Sequence, residues 1–128
     1  MTRMFRLGFF VFLAAFVTSS AWGQTVTRGP YLQQQTDQSV IVRWRTDIAT
    51  DSVVRFGTSS DNLDSSSSDP ASTTEHTVLL SGLSQATEYF YSVGNSATAL
   101  AGDATYHFNT SPTPGSAAST RIWVIGDS

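Results

Sequence analysis

Leu83-Ser84-Gln85-Ala86-Thr87-Glu88-Tyr89 sets a leucine, a polar turn and then Thr-x-Tyr at the head of an alternating apolar run. This is the pattern of a tyrosine corner, in which a tyrosine hydroxyl bonds back to backbone a few residues upstream and pins the crossing between two packed sheets. The ring of Tyr89 would fill core while its hydroxyl finds a partner, avoiding the cost of a buried unsatisfied polar group. The run it opens, Thr87 to Val93, aligns Tyr89, Tyr91 and Val93 on one face. A period of two is the signature of a strand with one buried face.

The same period recurs on both sides of the corner. Ser39-Val40-Ile41-Val42-Arg43-Trp44-Arg45 places Val40, Val42 and Trp44 on one face and Arg43 and Arg45 on the other. Asp51 to Phe56 puts Val54 and Phe56 opposite Val53 and Arg55, His76 to Leu80 forms a third run, and Ala104 to Thr110 carries Tyr106 and Phe108 inward. Tyr31 to Gln35, after Pro30, reads as an edge strand, since proline is tolerated where a ladder begins. Turn residues at Thr36-Asp37-Gln38, Gly57-Thr58-Ser59, Ser81-Gly82 and Gly94-Asn95 divide these runs. Short strands at this spacing predict an all-β antiparallel sandwich. Thr58 to Thr74, mostly Ser, Asp and Thr and including Ser65 to Ser68, reads as a long loop with at most a short edge strand. Trp44, Tyr89, Tyr91 and Phe108 are the expected structural core residues, and with Trp44 on the second strand and Phe108 on the last the domain resembles fibronectin type III.

Ahead of the strands, Arg3 and Arg6 precede an eleven-residue apolar core from Leu7 to Val17, and Ala21-Trp22-Gly23 offers small residues where a signal peptidase reads. Residues 1–23 are therefore expected to be a signal peptide cleaved before Gln24, giving a secreted or periplasmic product. An uncleaved anchor is the alternative, but the apolar core falls short of the roughly 20 residues a membrane span needs. Removal of Arg3 and Arg6 leaves five arginines against ten acids, a charge of −5. So acidic a chain, with no clustered basic stretch, argues against nucleic acid or an anionic membrane as partner. It has no cysteine, so packing alone holds the expected domain at residues 24–110, without disulfides or thiolate metal sites.

Ser111-Pro112-Thr113-Pro114-Gly115-Ser116-Ala117-Ala118-Ser119-Thr120 has the composition of an interdomain linker over residues 111–120. Beyond it, Arg121-Ile122-Trp123-Val124-Ile125-Gly126-Asp127-Ser128 reads as a strand buried on both faces and ended by Gly-Asp. Such strands belong to parallel sheets of α/β domains, where ligands and metals sit at the C-terminal ends. Residues 121–128 are thus expected to begin a truncated second domain.

Val26-Thr27-Arg28-Gly29-Pro30-Tyr31-Leu32-Gln33, Val42-Arg43-Trp44-Arg45-Thr46-Asp47, Val54-Arg55-Phe56-Gly57-Thr58 and Glu75 to Leu83 running into Thr87-Glu88-Tyr89-Phe90-Tyr91 follow one another in order, ending in Ile125-Gly126-Asp127. This order resembles the N-terminal part of purple acid phosphatases and related secreted metallophosphoesterases. The resemblance implies a fibronectin-III-like domain followed by a catalytic metallophosphoesterase domain in cis. That domain would hold iron and a second divalent metal and hydrolyse phosphate monoesters by polarising the ester and lowering the pKa of a bound water. Gly126-Asp127, with Ser128 as the x of Gly-Asp-x-Gly, makes Asp127 the first metal ligand on this resemblance; an ordinary turn aspartate is the other reading. The chain itself is expected to carry no catalytic residue and no cofactor, since one carboxylate cannot hold two hard cations.

The remaining candidates are weaker. His76 and His107 lie on different expected strands, and two histidines alone make a poor metal site, so they read as rim or surface residues. Arg43, Arg45 and Arg55 suggest either a basic stripe or a solvated face with cross-strand acid partners. Tyr31, Trp22 and Phe90 are scattered aromatics rather than a stacking platform, and Asn109-Thr110-Ser111 matches a glycosylation sequon. Two other functional classes stay open: a free-standing secreted binding or adhesion module, and the leading sandwich of an unrelated exported enzyme.

Overall fold

Alternation in the sequence becomes two faces in space. Val40 and Val42 are fully buried and Trp44 nearly so, while Arg45, of opposite parity, is exposed. The computed structural model describes residues 23–119, and among them the regular structure is all strand. The strands are β1 (Val26–Gln33), β2 (Ser39–Gly57), β3 (Ser65–Ser81), β4 (Glu88–Gly94), β5 (Ala99–Ala101) and β6 (His107–Asn109).

The first half of β2 pairs with β1, Tyr31 opposite Arg43, and with the second half of β3, Val42 opposite Val78. Its second half pairs with the first half of β3, Val54 opposite Ser67, and with β4, Val54 opposite Val93. β5 and β6 pair with β4, and every pairing is antiparallel. The hydrogen bonds thus run through one six-stranded sheet, curled so that its halves face each other as two layers. Register shifts between Arg45 and Thr50 and between Thr50 and Ser52 mark the crossing of β2 from one layer to the other, where bulges bend a strand. Val40, Val42, Trp44, Val78 and Leu80 from one half pack with Val54, Tyr89, Tyr91, Val93 and Phe108 from the other, with Leu83 at the corner. Tyr89 stacks on Phe108 with ring centroids 5.7 Å apart, and Tyr91 meets Phe108 at 6.0 Å. The sandwich-like arrangement is consistent with a fibronectin-III-like or immunoglobulin-like fold.

Several elements differ from the sequence expectation. The expected strands Ser39 to Arg45 and Asp51 to Phe56 are one continuous strand, because the chain changes layers without a turn. β1 begins at Val26 rather than Tyr31, and the last expected strand shortens to three residues. The polar stretch expected as a loop is strand from Ser65 onward. Main-chain ladders do not require apolar side chains, and at a sheet edge serines can point to water. Of the four, Ser67 is half-buried, and its hydroxyl donates to Leu79 O at 2.9 Å, tying the two halves of β3 across the open side of the sandwich. β5 was not expected. Gly102, which follows it, lies so close to Ser92 that a Cβ there would overlap the serine side chain, and Ser92 is accordingly only 5% exposed. The segments 1–22 and 120–128, with the expected signal, Trp123 and Asp127, lie outside the described residues.

Neighbouring leucines on β3 give a direct test of face assignment. Leu80 is fully buried and Leu79 is 54% exposed. Leu80→Ala is expected to cost about 2–5 kcal/mol, and Leu79→Ala no more than about 0.5 kcal/mol, both read from denaturant midpoints.

Candidate functional site

The chain leaves the sandwich beside the corner, and the two are bonded together. Ala86 adopts a left-handed backbone (φ 48°) and turns the chain toward β4. Ser84 N–H donates to Tyr89 Oη at 3.0 Å, five residues downstream, while Leu83 N–H donates to Gln38 O at 3.0 Å. Thr110, 3% exposed, donates its hydroxyl to Ser84 O at 2.6 Å and accepts from Thr87 N–H at 2.9 Å. Thr110 N–H donates to Thr87 O at 3.0 Å, Ala86 N–H to Ser111 O at 3.0 Å, and Ser111 N–H to Thr36 O at 3.1 Å. Gln35 Nε2 also donates to Asn109 O. The last residues before the Pro-rich segment are therefore fixed to the corner on one side and to the β1–β2 turn on the other.

His76 is the most buried ionisable group in this set, at 1% exposure rather than at the rim. Its ring stacks on Trp44 at 4.6 Å and 6°. The Thr46 hydroxyl donates to Ile48 O at 2.8 Å, so at 2.8 Å from His76 it accepts from Nε2–H. Ser52 Oγ, 2.8 Å from Nδ1, is then the donor there. The network assigns a neutral ring protonated on Nε2. Burial pushes the imidazole below its ordinary value, against the opposing pull of Asp51 and Glu75. The indole N–H of Trp44 is buried without a partner, so that ring is held by stacking and packing.

The other candidates do not converge. His107 is exposed, with Nδ1 3.1 Å from Glu88 Oε1, a carboxylate neighbour that cross-strand register supplies and linear spacing hides. Arg45 pairs with Glu75 across strands, and Arg43 donates to Thr77 Oγ1 at 3.1 Å and Gln33 Oε1 at 3.3 Å. Arg55 lies in the other layer, donating to Asn95 O at 3.4 Å, so the three arginines form no single stripe. Tyr31 is on β1, under Arg28 at 5.5 Å, and Phe90 on β4, beside His107. Among the described residues no three His, Cys, Asp or Glu side chains come together as a metal site. Sequence reasoning missed Thr46 and Ser52 as partners of His76 and Thr110 as the clasp on Ser84. The one local hint was a Thr immediately after the last core strand.

This end of the molecule bonds Thr110 and Ser111 to the corner, and the class the fold defines is an all-β, sandwich-like domain. The chain belongs to the family of purple acid phosphatase N-terminal domains, which it matches over residues 29–110. Among solved structures it is similar to the sensor domain of the anti-sigma factor RsgI4 from Pseudobacteroides cellulosolvens, at 12% identity and a TM-score of 0.48 over 80% of this chain and 91% of that one. No curated protein sequence matches the chain.

Tyr89→Phe leaves Ser84 N–H without its acceptor and is expected to cost about 1–2 kcal/mol with an unchanged denaturant slope. His76 makes stability pH-dependent in a defined direction. The unfolded ring binds a proton near its ordinary value of about 6.5 while the folded ring stays neutral, so stability falls as pH drops from about 7.5 to about 5.5. Denaturation midpoints across that window should fall in the native protein and change less in His76→Gln.

Proposed function

We propose that this chain is the non-catalytic leading domain of an exported metallophosphoesterase of the purple acid phosphatase kind. A signal segment at residues 1–23 would direct export, and a catalytic domain would follow in cis from Arg121. The observation that carries this reading is the clasp at Thr110 and Ser111, which fixes where and in which direction the chain leaves the sandwich, at the end of a domain whose family is that of purple acid phosphatase N-terminal domains. The described residues do not fit a binuclear metal centre. Iron and its divalent partner would therefore sit wholly in the following domain, with Asp127 as first ligand, and phosphate monoesters would be hydrolysed there.

Reading the source gene past the Ser128 codon tests the proposal. The expected frame continues with Gly, completing Gly-Asp-x-Gly, and later supplies Asp with Tyr, Asn-His and paired histidines. A stop codon, or a continuation without those ligands, overturns the phosphoesterase reading. The 128-residue chain, supplied with iron and zinc, is expected to hydrolyse p-nitrophenyl phosphate no faster than buffer.

A further inference from the structure

The end of the sandwich opposite the corner is organised around Gln24. Its Nε2 donates to Ile48 O at 2.9 Å and to Thr50 Oγ1 at 2.8 Å, and its Oε1 accepts from Asn95 Nδ2 at 2.7 Å. Both ends of the carboxamide are therefore engaged, the nitrogen by the bend of β2 and the oxygen by Asn95 just after β4. Asn95 is itself fixed, 8% exposed, with Oδ1 accepting from Ala97 N–H at 2.9 Å and Thr98 N–H at 2.8 Å. One residue further on, the Thr25 amide and hydroxyl donate to the Asp47 carboxylate at 2.8 and 3.0 Å. The Thr25 amide is the main cause that holds Asp47 below the usual carboxylate range.

This inference rests on cleavage before Gln24, which makes it the first residue of the exported protein. A terminal glutamine has a reaction of its own. The free α-amine attacks side-chain Cδ, an N–Cδ bond closes a lactam, the Cδ–Nε2 bond breaks, and the amine's proton leaves with Nε2 as ammonia. No oxidant, reductant or second reactant is needed. We propose that Gln24 is a cyclisation site which the fold keeps closed: the folded domain retains an open-chain glutamine, and the lactam forms irreversibly only when this end opens. Two acceptors hold the leaving nitrogen and Asn95 holds the oxygen, so the carboxamide cannot turn its carbon toward the amine. The lactam has no Nε2, so a cyclised chain loses both the Ile48 and Thr50 hydrogen bonds and cannot restore this end of the fold.

The test is to export the full chain from a bacterial host, identify the first residue by tandem mass spectrometry, and follow loss of ammonia by intact mass. Samples are held at neutral pH either folded or in guanidinium chloride. The product is expected to begin at Gln24 and to lose ammonia about tenfold or more slowly when folded, because reaction waits on local opening. Asn95→Ala and Thr50→Val, each checked for folding, should both narrow that gap. Equal rates in folded and unfolded protein overturn the protection while leaving the cleavage site standing. A product that begins elsewhere overturns both.

Discussion

The crossing of β2 from one layer to the other is the constraint on which the rest of the domain depends. Residues before the bend face the core with Val40, Val42 and Trp44, and residues after it with Val54 and Phe56. A slip of one residue in either half would turn that half's apolar set to water. The bend must therefore absorb its register shifts without changing parity, and the polar group that fills it is His76. Thr46 reaches the ring from before the crossing and Ser52 from after it. Both nitrogens are satisfied by hydroxyls of the bending strand, so the bend contains a complete hydrogen-bond set in place of a void. β3 crosses in the opposite sense, and Ser67 closes the open side. In a chain without cysteine, these contacts and the core hold the layers together.

How much of this could be read in the sequence follows from which forces leave a linear trace. Burial of one face leaves a period of two, so the faces of Val40 to Trp44 and of Tyr89 to Val93 were legible. The tyrosine corner was legible because its donor and acceptor lie within five residues. Main-chain pairing leaves no such trace. Ser65 to Asp69 joins β2 through backbone alone, and its composition argues for loop. The burial of His76 was hidden because its partners lie 30 and 24 residues earlier. Thr110 was hidden for the same reason, clasping a carbonyl 26 residues away. Of the candidate site, the corner and the core aromatics were within reach, whereas Asp127 lies outside the described residues.

The two ends of the sandwich are built differently. The corner end is bonded largely through backbone, with Thr110, Tyr89 and Gln35 among its side-chain ties. The opposite end is bonded through side-chain amides and carboxylates: Gln24 to the bend of β2, Asp47 to Thr25, and Asp51 and Asn95 to the turn after β4. The first arrangement suits a junction that must keep its direction. The second makes Gln24 and Thr25 bonded parts of the domain.

Those two ends are also the two ends of β1. It starts beside Gln24 and finishes next to the turn that holds Ser111, and at roughly 3.3 Å per residue its eight residues separate them by about 25 Å. The domain is in that sense a strut. The spacing between its Gln24 end and its Ser111 end is set by strand length and register. Shortening or lengthening the strut would require removing or adding residues in β1, β2, β3 and β4 together, since each strand's register is bonded to the next.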